Sequence, residues 1–358
     1  MYAVIMAGGK GTRFWPKSRE RMPKHLLDIV SERTIIQETI DRILPLIPAE
    51  NILIVTGLSH AGELMKQAPG IPEENIIIEP VGRNTAPCIG LAALHIKRKF
   101  PDAVMVVLPA DHLINDAARF CHLLSLAAEM ARQGDYLLTI GIKPTFPETG
   151  YGYIEQGSLK ATIKGEEIYE VKSIREKPAL EQANTFLEKG GFYWNSGMFV
   201  WRVETILRAI GRWLPELHKG LLQIEDSIGT EQEKEMVNRV YRDIKPISID
   251  YGVMEKADNV LLMRGDFGWS DMGSWDSLWD VSEKDENGNA AHVRGLFVGV
   301  EAKNTLIHSP RKLVALVGVE DLIVVETEDS LLICKRGRSQ DVKKVVEILE
   351  VNNMKEYL

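Results

Sequence analysis

Apolar residues follow two rhythms along the first 150 positions, and the rhythms alternate. Near-continuous apolar runs at Tyr2–Ala7, Asn51–Gly57, Asn75–Glu79, Ala103–Leu108 and Tyr136–Ile142 predict strands buried on both faces. Between them the spacing predicts helices at Thr34–Leu46, His60–Gln67, Ala86–Phe100 and Ala117–Arg132. This alternation is the pattern of an α/β domain whose parallel sheet is covered by helices. Ligands in such sheets bind outside the carboxyl ends of the strands. The chain delivers Gly8–Arg13, Glu79–Thr85 and Asp111-His112 to that edge.

The pattern then changes. Tyr151–Gln156, Glu167–Arg175 and Ser196–Trp201 read as longer, mixed or antiparallel strands, with helices at Leu180–Lys189, Val203–Trp213 and Glu231–Tyr241. Strands return at Pro246–Asp250 and Val260–Arg264, ahead of the aromatic-rich Phe267–Trp279. The polar stretch Ser282–Ala290 reads as a linker, which divides the chain into residues 1–281 and 291–358. Beyond it, short runs at Leu296–Val300, Thr305–His308, Leu313–Val317, Leu322–Glu326 and Ser330–Cys334 recur about every nine residues, as in stacked strands or a β-helix-like coil. An amphipathic helix, Ser339–Val351, closes the pattern, and the tail reads as an assembly or lid element.

Composition narrows the function. The 358 residues carry 45% hydrophobic and 26% charged residues, the balance of a globular protein with a full core. A net charge of −8 speaks against a nonspecific nucleic-acid binder but leaves room for a nucleotide held by local charge. Cys88, Cys121 and Cys334 are few and widely spaced, which predicts reduced thiols and a cytoplasmic enzyme. No leader sequence and no apolar run long enough to span a bilayer is expected.

The densest chemistry follows the first strand. Gly8-Gly9-Lys10-Gly11-Thr12-Arg13 lets backbone N–H groups approach an anion, and Arg13 and Lys24 add positive charge. The spacing is neither a Walker loop nor Gly-x-Gly-x-x-Gly. Asp111, just past a central strand, suits Mg²⁺, which takes one or two carboxylates plus phosphate oxygens. Asp271, in the Trp269–Trp275 turn, is the second candidate metal ligand, with Asp266 as its competitor. Glu79 can accept from guanine N1–H and N2–H₂ while Asn84 meets O6; Thr85 and Pro87 suit the start of the following helix. Gly152, the Glu176-Lys177-Pro178 strand end and Asn195-Ser196-Gly197 suit a sugar phosphate, with carboxylate and amide for hydroxyls and the lysine for phosphate. No Gly-x-Ser-x-Gly elbow, His-Glu-x-x-His or cysteine nucleophile context points to covalent catalysis.

Taken together, Gly8–Arg13 with Pro23-Lys24, Pro109-Ala110-Asp111-His112, Glu176-Lys177-Pro178, Asn195-Ser196-Gly197 and Trp269-Ser270-Asp271 resemble the sugar-phosphate nucleotidyltransferases. Within that family Phe14-Trp15-Pro16, Gly82–Pro87 and Ile249–Glu255 are similar to the members that make GDP-mannose from GTP and mannose 1-phosphate. The resemblance implies a Rossmann-like mixed sheet with a small C-terminal β-helix-like domain, Mg²⁺ as cofactor and a homodimer formed through that domain. It also implies that Gly8, Gly9, Gly11, Thr12 and Arg13 hold the GTP phosphates and Lys24 the α-phosphate. Asp111 and Asp271 would carry the metal, Glu79 and Asn84 would read guanine beside Thr85, and Gly152, Glu176, Lys177, Asn195 and Gly197 would line the sugar-phosphate site. The isomerase domain of some relatives lies beyond these residues, so no second activity is expected. Two alternatives remain open at this point: another hexose 1-phosphate with UTP or dTTP, and a non-catalytic regulatory relative.

Overall fold

A computed structural model describes residues 1–9, 11–293 and 295–358; Lys10 of the glycine-rich loop lies outside them. The chain forms two compact units, each assembled from separate stretches of the sequence. The first comprises residues 1–8, 40–110 and 114–269, the second residues 9–39, 111–113 and 270–358.

The first unit is built on one nine-stranded sheet. Its strands are β1 (Tyr2–Ala7), β2 (Ile52–Gly57), β3 (Ile76–Glu79), β4 (Val104–Pro109), β5 (Leu137–Ile142), β6 (Tyr153–Ile163), β7 (Glu166–Arg175), β8 (Phe192–Arg202) and β9 (Val260–Gly265). Their order is β3-β2-β1-β4-β8-β5-β9-β7-β6. The first four strands are parallel, with Ala3 opposite Ile52 and Tyr2 opposite Met105. Their carboxyl ends therefore share one edge, where Gly8 follows β1, Glu79 closes β3 and Pro109 closes β4. β8 then runs antiparallel to both β4 and β5, which makes the sheet mixed, as the sequence pattern implied.

Burial accounts for this choice of strands. Ala3, Val4, Ile5, Ile52, Ile54, Val106 and Val107 are fully enclosed, so neither face of the central strands meets water. Each valine or isoleucine among them contributes about 1.5–3 kcal/mol when removed from water, which outweighs the cost of ordering its rotamers. One expectation fails here. Residues 246–250 do not form a strand: Pro246 has no N–H to give a ladder, and Ile247 instead exchanges hydrogen bonds with Arg83 and Ala86 before the π-helical turn Asp250–Met254. A helix at Pro215–Glu225 was not anticipated, although proline at its first position is a standard start.

In the second unit, strands β10 (Ala290–Val293), β11 (Phe297–Val300), β12 (Leu306–Ser309), β13 (Val314–Val317), β14 (Leu322–Glu326) and β15 (Leu331–Lys335) form two sheets, β10-β12-β14-β15 and β11-β13. Phe297 pairs with Val314 and Leu306 with Ile323, each 17 residues on, so the nine-residue spacing of the sequence is half a turn of a parallel coil. The stretch read as a linker is pinned into this coil: Asn289 is buried, bonds Asp285 and the Ala302 carbonyl, and leads into fully buried Ala290. The core of the unit joins Phe14, Trp15, Leu27 and Trp275 to Leu306, Ile323, Val342 and Val346. The residues just after the glycine-rich loop thus belong to the same core as the C-terminal coil.

Candidate active site

A methyl group added at Gly8 or Gly9 would meet nothing within 4 Å, and Gly9 has φ +97°. Gly11 is different: its φ is +59°, and a Cβ there would stand 2.7 Å from Lys24 Cβ and 2.9 Å from the Lys24 nitrogen. Only glycine permits that approach. Thr12–Phe14 then make one tight turn, Arg13 is exposed, and the Ser18 hydroxyl holds the Gly11 carbonyl at 2.7 Å.

Lys24 is the centre of this half. It is buried, yet its Nζ reaches Asp111 Oδ2 at 2.9 Å and the Asp271 carbonyl at 2.6 Å. Its ammonium also lies 5.7 Å from the centre of the Phe14 ring. Burial by itself would raise the Asp111 pKa, but the Lys24 charge, aided by His112 and His25, prevails and holds it at about 2. Asp111 is therefore an ionised carboxylate, with 36% of its side chain exposed. The Asp271 carboxylate accepts from the Gly273 N–H at 2.9 Å, which fixes the turn. Lys24 thus joins the Asp111 carboxylate to the backbone of Asp271, and one or two carboxylates completed by phosphate oxygens are the donor set that Mg²⁺ takes. Among the described residues, no group of three or more His, Cys, Asp or Glu forms a cage that could hold a metal without such a ligand. Asp266, the competitor, is paired instead with Arg119 at 2.7 Å.

The proposed base readers sit on the first unit. Glu79 is only 8% exposed; burial pushes its carboxyl up to about 7, against a smaller pull from Tyr241. Glu79 Oε1 and the Tyr241 hydroxyl are both enclosed, and neither meets hydrogen-bond geometry with a partner among the described residues. Asn84 lies at φ 71°, ψ −173°, a region almost reserved for glycine. It, rather than Thr85, caps the helix Thr85–Lys99, its side chain accepting from the Thr85 N–H at 2.8 Å, while the Thr85 hydroxyl accepts from the Ile249 N–H at 2.8 Å. The Arg83 guanidinium donates to the carbonyls of Tyr241 and Arg242, so the loop is stitched to the segment at 241–249 on both sides of Asn84.

The candidate sugar-phosphate residues converge within the same unit. The Asn195 N–H donates to the Gly152 carbonyl at 2.8 Å, and Asn195 Oδ1 accepts from Thr139 and from the Gly197 N–H. A Cβ at Gly152 would meet the end of the flexible Glu176 side chain, which must shift to admit it. Glu176 is raised to about 6, first by burial and then by Asp250, while Lys177 Nζ stands 3.4 Å away with most of its side chain exposed. Asp250 was not singled out in the sequence as a site residue. It accepts from Asn195 Nδ2 at 2.7 Å, and burial pushes its carboxyl upward. The neighbouring Glu255 accepts from the Glu176 N–H at 2.9 Å. The π-helical turn that carries Asp250 is a form enriched at functional sites, and the sequence pattern does not announce it.

Known proteins are similar to this chain over nearly its whole length. A nucleotidyl transferase family model matches residues 2–288, and a model of the mannose-phosphate isomerase/GMP-like β-helix domain matches residues 295–349. A mannose-1-phosphate guanylyltransferase of Escherichia coli is 38% identical over 359 residues, covering 99% of this chain and 76% of its own. One from Klebsiella pneumoniae is 40% identical over 358 residues, covering 99% and 75%. A Thermus thermophilus crystal structure described as a "mannose-1-phosphate geranyltransferase" superposes with a TM-score of 0.88 at 33% identity, covering 98% of this chain and 99% of the other.

Proposed function

The chain belongs to the nucleotidyl transferase family, and we propose on that footing that it transfers GMP from GTP to mannose 1-phosphate, giving GDP-mannose and pyrophosphate. The observation that carries this reading is Lys24, buried against Gly11 of the glycine-rich loop and bonded to both Asp111 and the Asp271 backbone.

In this reading, Gly8, Gly9, Gly11 and Thr12 present backbone N–H groups to the triphosphate, and Arg13 and Lys24 supply charge at its α- and β-phosphates. Glu79 and Asn84 read guanine beside Thr85. Gly152, Glu176, Lys177, Asn195 and Gly197 hold mannose 1-phosphate, with Asp250 locking the Asn195 amide. The acceptor phosphate is already ionised near neutral pH, so no side chain must remove a proton before it attacks the α-phosphorus in line with departing pyrophosphate. Positioning and charge neutralisation then supply most of the rate. Asp111 and Asp271 are the residues that would hold Mg²⁺, which when bound with the triphosphate neutralises charge on the phosphates.

Assembly and compartment belong to the same reading. Leu296, Val298, Val300, Leu313 and Val317 are exposed along β11, β13 and their flanks, an apolar face that supports a homodimer through the C-terminal coil. Cys88, Cys121 and Cys334 are all free thiols, which supports a reducing cytoplasm. Among the described residues, no helix is long and apolar enough to cross a membrane.

The test is pyrophosphate release across four nucleoside triphosphates and several sugar 1-phosphates, with chelator and added Mg²⁺. GTP with mannose 1-phosphate should be the preferred pair, and chelation should abolish turnover. Turnover with UTP and glucose 1-phosphate, and none with GTP and mannose 1-phosphate, overturns the substrate choice.

A further inference from the structure

The segment leaving the glycine-rich loop is held from the far end of the chain. Trp15 Nε1 donates to the Tyr357 carbonyl at 2.9 Å, and the Arg19 guanidinium donates to the same oxygen. Arg19 also binds Asp329 at 2.6 Å and Ser330 at 3.2 Å, and its guanidinium lies 5.7 Å from the centre of the Trp15 ring. The Trp15 carbonyl accepts from Trp275 Nε1 at 3.0 Å, and the Trp275 ring packs 4.8 Å from Phe14. Val342 and Val346, on the helix Val342–Val351, share one core cluster with Phe14 and Trp15, and Leu358 packs against it. The cavity left between this helix and the Thr12–Glu20 segment is only about 30 Å³, so the two surfaces fit closely.

These contacts reach the chemistry in two short steps. Phe14 lies under the Lys24 ammonium, and Gly11 lies against Lys24 with no room for a methyl group. A shift of the Phe14–Trp15 peptide therefore moves Lys24 relative to the loop that it must serve. Tight packing transmits such displacements rather than absorbing them.

We infer that Trp15 and Arg19 are positioning residues for the nucleotide. By gripping the Tyr357 carbonyl they make the C-terminal segment 342–358 a brace for the Gly11–Lys24 loop, so that this segment sets how GTP is held and is more than an assembly element. The brace acts on the triphosphate end and leaves the sugar-phosphate residues untouched, because Trp15 and Arg19 touch none of them among the interactions above. The inference rests on the proposed function.

The experiment uses the full chain and the variants Trp15→Phe, which keeps an aromatic ring, though a smaller one, and loses the N–H, and Arg19→Gln. Each is assayed for kcat, for KM with GTP and with mannose 1-phosphate, for calorimetric GTP binding and for Tm. The expected result is a rise of about three- to tenfold in the GTP KM and Kd, the loss of one or two modest hydrogen bonds, with the mannose 1-phosphate KM unchanged. In a chain lacking residues 355–358 the GTP KM should rise similarly, and adding Trp15→Phe to it should change nothing more, since both remove the same contact. Unchanged GTP binding in Trp15→Phe and Arg19→Gln overturns the inference, as does an equal rise in both KM values with a lower Tm. If the unaltered chain turns over no GTP with mannose 1-phosphate, the proposed function fails; calorimetric GTP binding still decides the brace.

Discussion

Lys24 and Asp111 form a 2.9 Å ion pair in which the lysine is buried and the aspartate partly open, and the same ammonium bonds the Asp271 carbonyl. The pair keeps the cation pre-positioned where a triphosphate would arrive and keeps Asp111 ionised. Lys24→Ala removes a charge aimed at the transferring phosphate, and Asp111→Asn removes the candidate metal ligand. Each should lower kcat by about 10²–10³-fold or more, the range for losing one preorganised electrostatic contact. Steady-state kinetics beside a circular-dichroism melt checks this. Near-normal turnover in either folded variant removes that residue from the reaction.

Gly11→Ala tests the loop backbone itself. The added methyl has nowhere to go, with Lys24 Cβ at 2.7 Å and the Lys24 nitrogen at 2.9 Å, and the φ of +59° suits alanine poorly. The variant should lose about 1–3 kcal/mol of stability from backbone strain and at least tenfold in kcat/KM for GTP. By contrast Gly8→Ala, which meets nothing within 4 Å, should leave Tm unchanged. Equal melting losses in the two variants would contradict the packing around Gly11.

Gly152→Ala addresses the sugar-phosphate residues. Its methyl displaces the Glu176 carboxylate and lies 3.3 Å from Asn195 Cβ, so the KM for mannose 1-phosphate should rise while that for GTP stays constant. Asp250→Asn should act the same way, because the Asn195 amide loses the carboxylate that orients it at 2.7 Å. Losing that charge-assisted bond should raise the sugar-phosphate KM about tenfold. A change confined to GTP in either variant would sink the assignment.

The parallel half of the sheet was legible because Ile52–Val55 and Val104–Leu108 are apolar without interruption, which only two-sided burial explains. The glycines and Lys24 were legible because backbone exposure and charge are local properties of a sequence. The pairing of Lys24 with Asp111 spans 87 positions, and the Asn195–Asp250 bond spans 55, so only the fold could join them. Pro246–Asp250 misled because its alternation suits a strand, while its partners proved to be a loop. The coil of the C-terminal unit was visible as a half-period. Its contact with Trp15 left no trace, since the accepting group is a backbone carbonyl.

Asn84 combines a strained backbone with a proposed reading role, and two substitutions separate them. Asn84→Gly relieves a conformation that costs a non-glycine residue about 1–3 kcal/mol, and as a helix cap glycine gives up only a few tenths. Its Tm should match or exceed that of the parent. Asn84→Ala keeps the strain and loses the 2.8 Å cap to Thr85, so its Tm should fall by a few degrees. Both should raise the KM for GTP. A variant with normal GTP affinity would leave Asn84 a cap and nothing more.

Glu79 gives opposite predictions for stability and for binding. Burial holds its carboxyl at about 7, well above the ordinary value of 4.5, so the folded protein keeps this proton after the unfolded chain has released it. Stability should therefore fall as pH rises from about 4.5 to 7, by a total of order 3 kcal/mol, and change no further from this group above pH 7. Glu79→Gln removes that fall and should be the more stable protein at pH 8. Guanine offers only donors at N1 and N2, so a reader there must be the ionised carboxylate. The KM for GTP should then drop about three- to tenfold between pH 6 and pH 8 as Glu79 loses its proton. Glu79→Gln, with a uniformly weak GTP affinity, should show no such change. Stability and GTP KM measured at pH 6, 7 and 8 for both proteins decide the matter. A pH-independent KM in the parent, or GTP affinity at parental strength in the glutamine variant, removes Glu79 from base recognition and leaves it a buried acid.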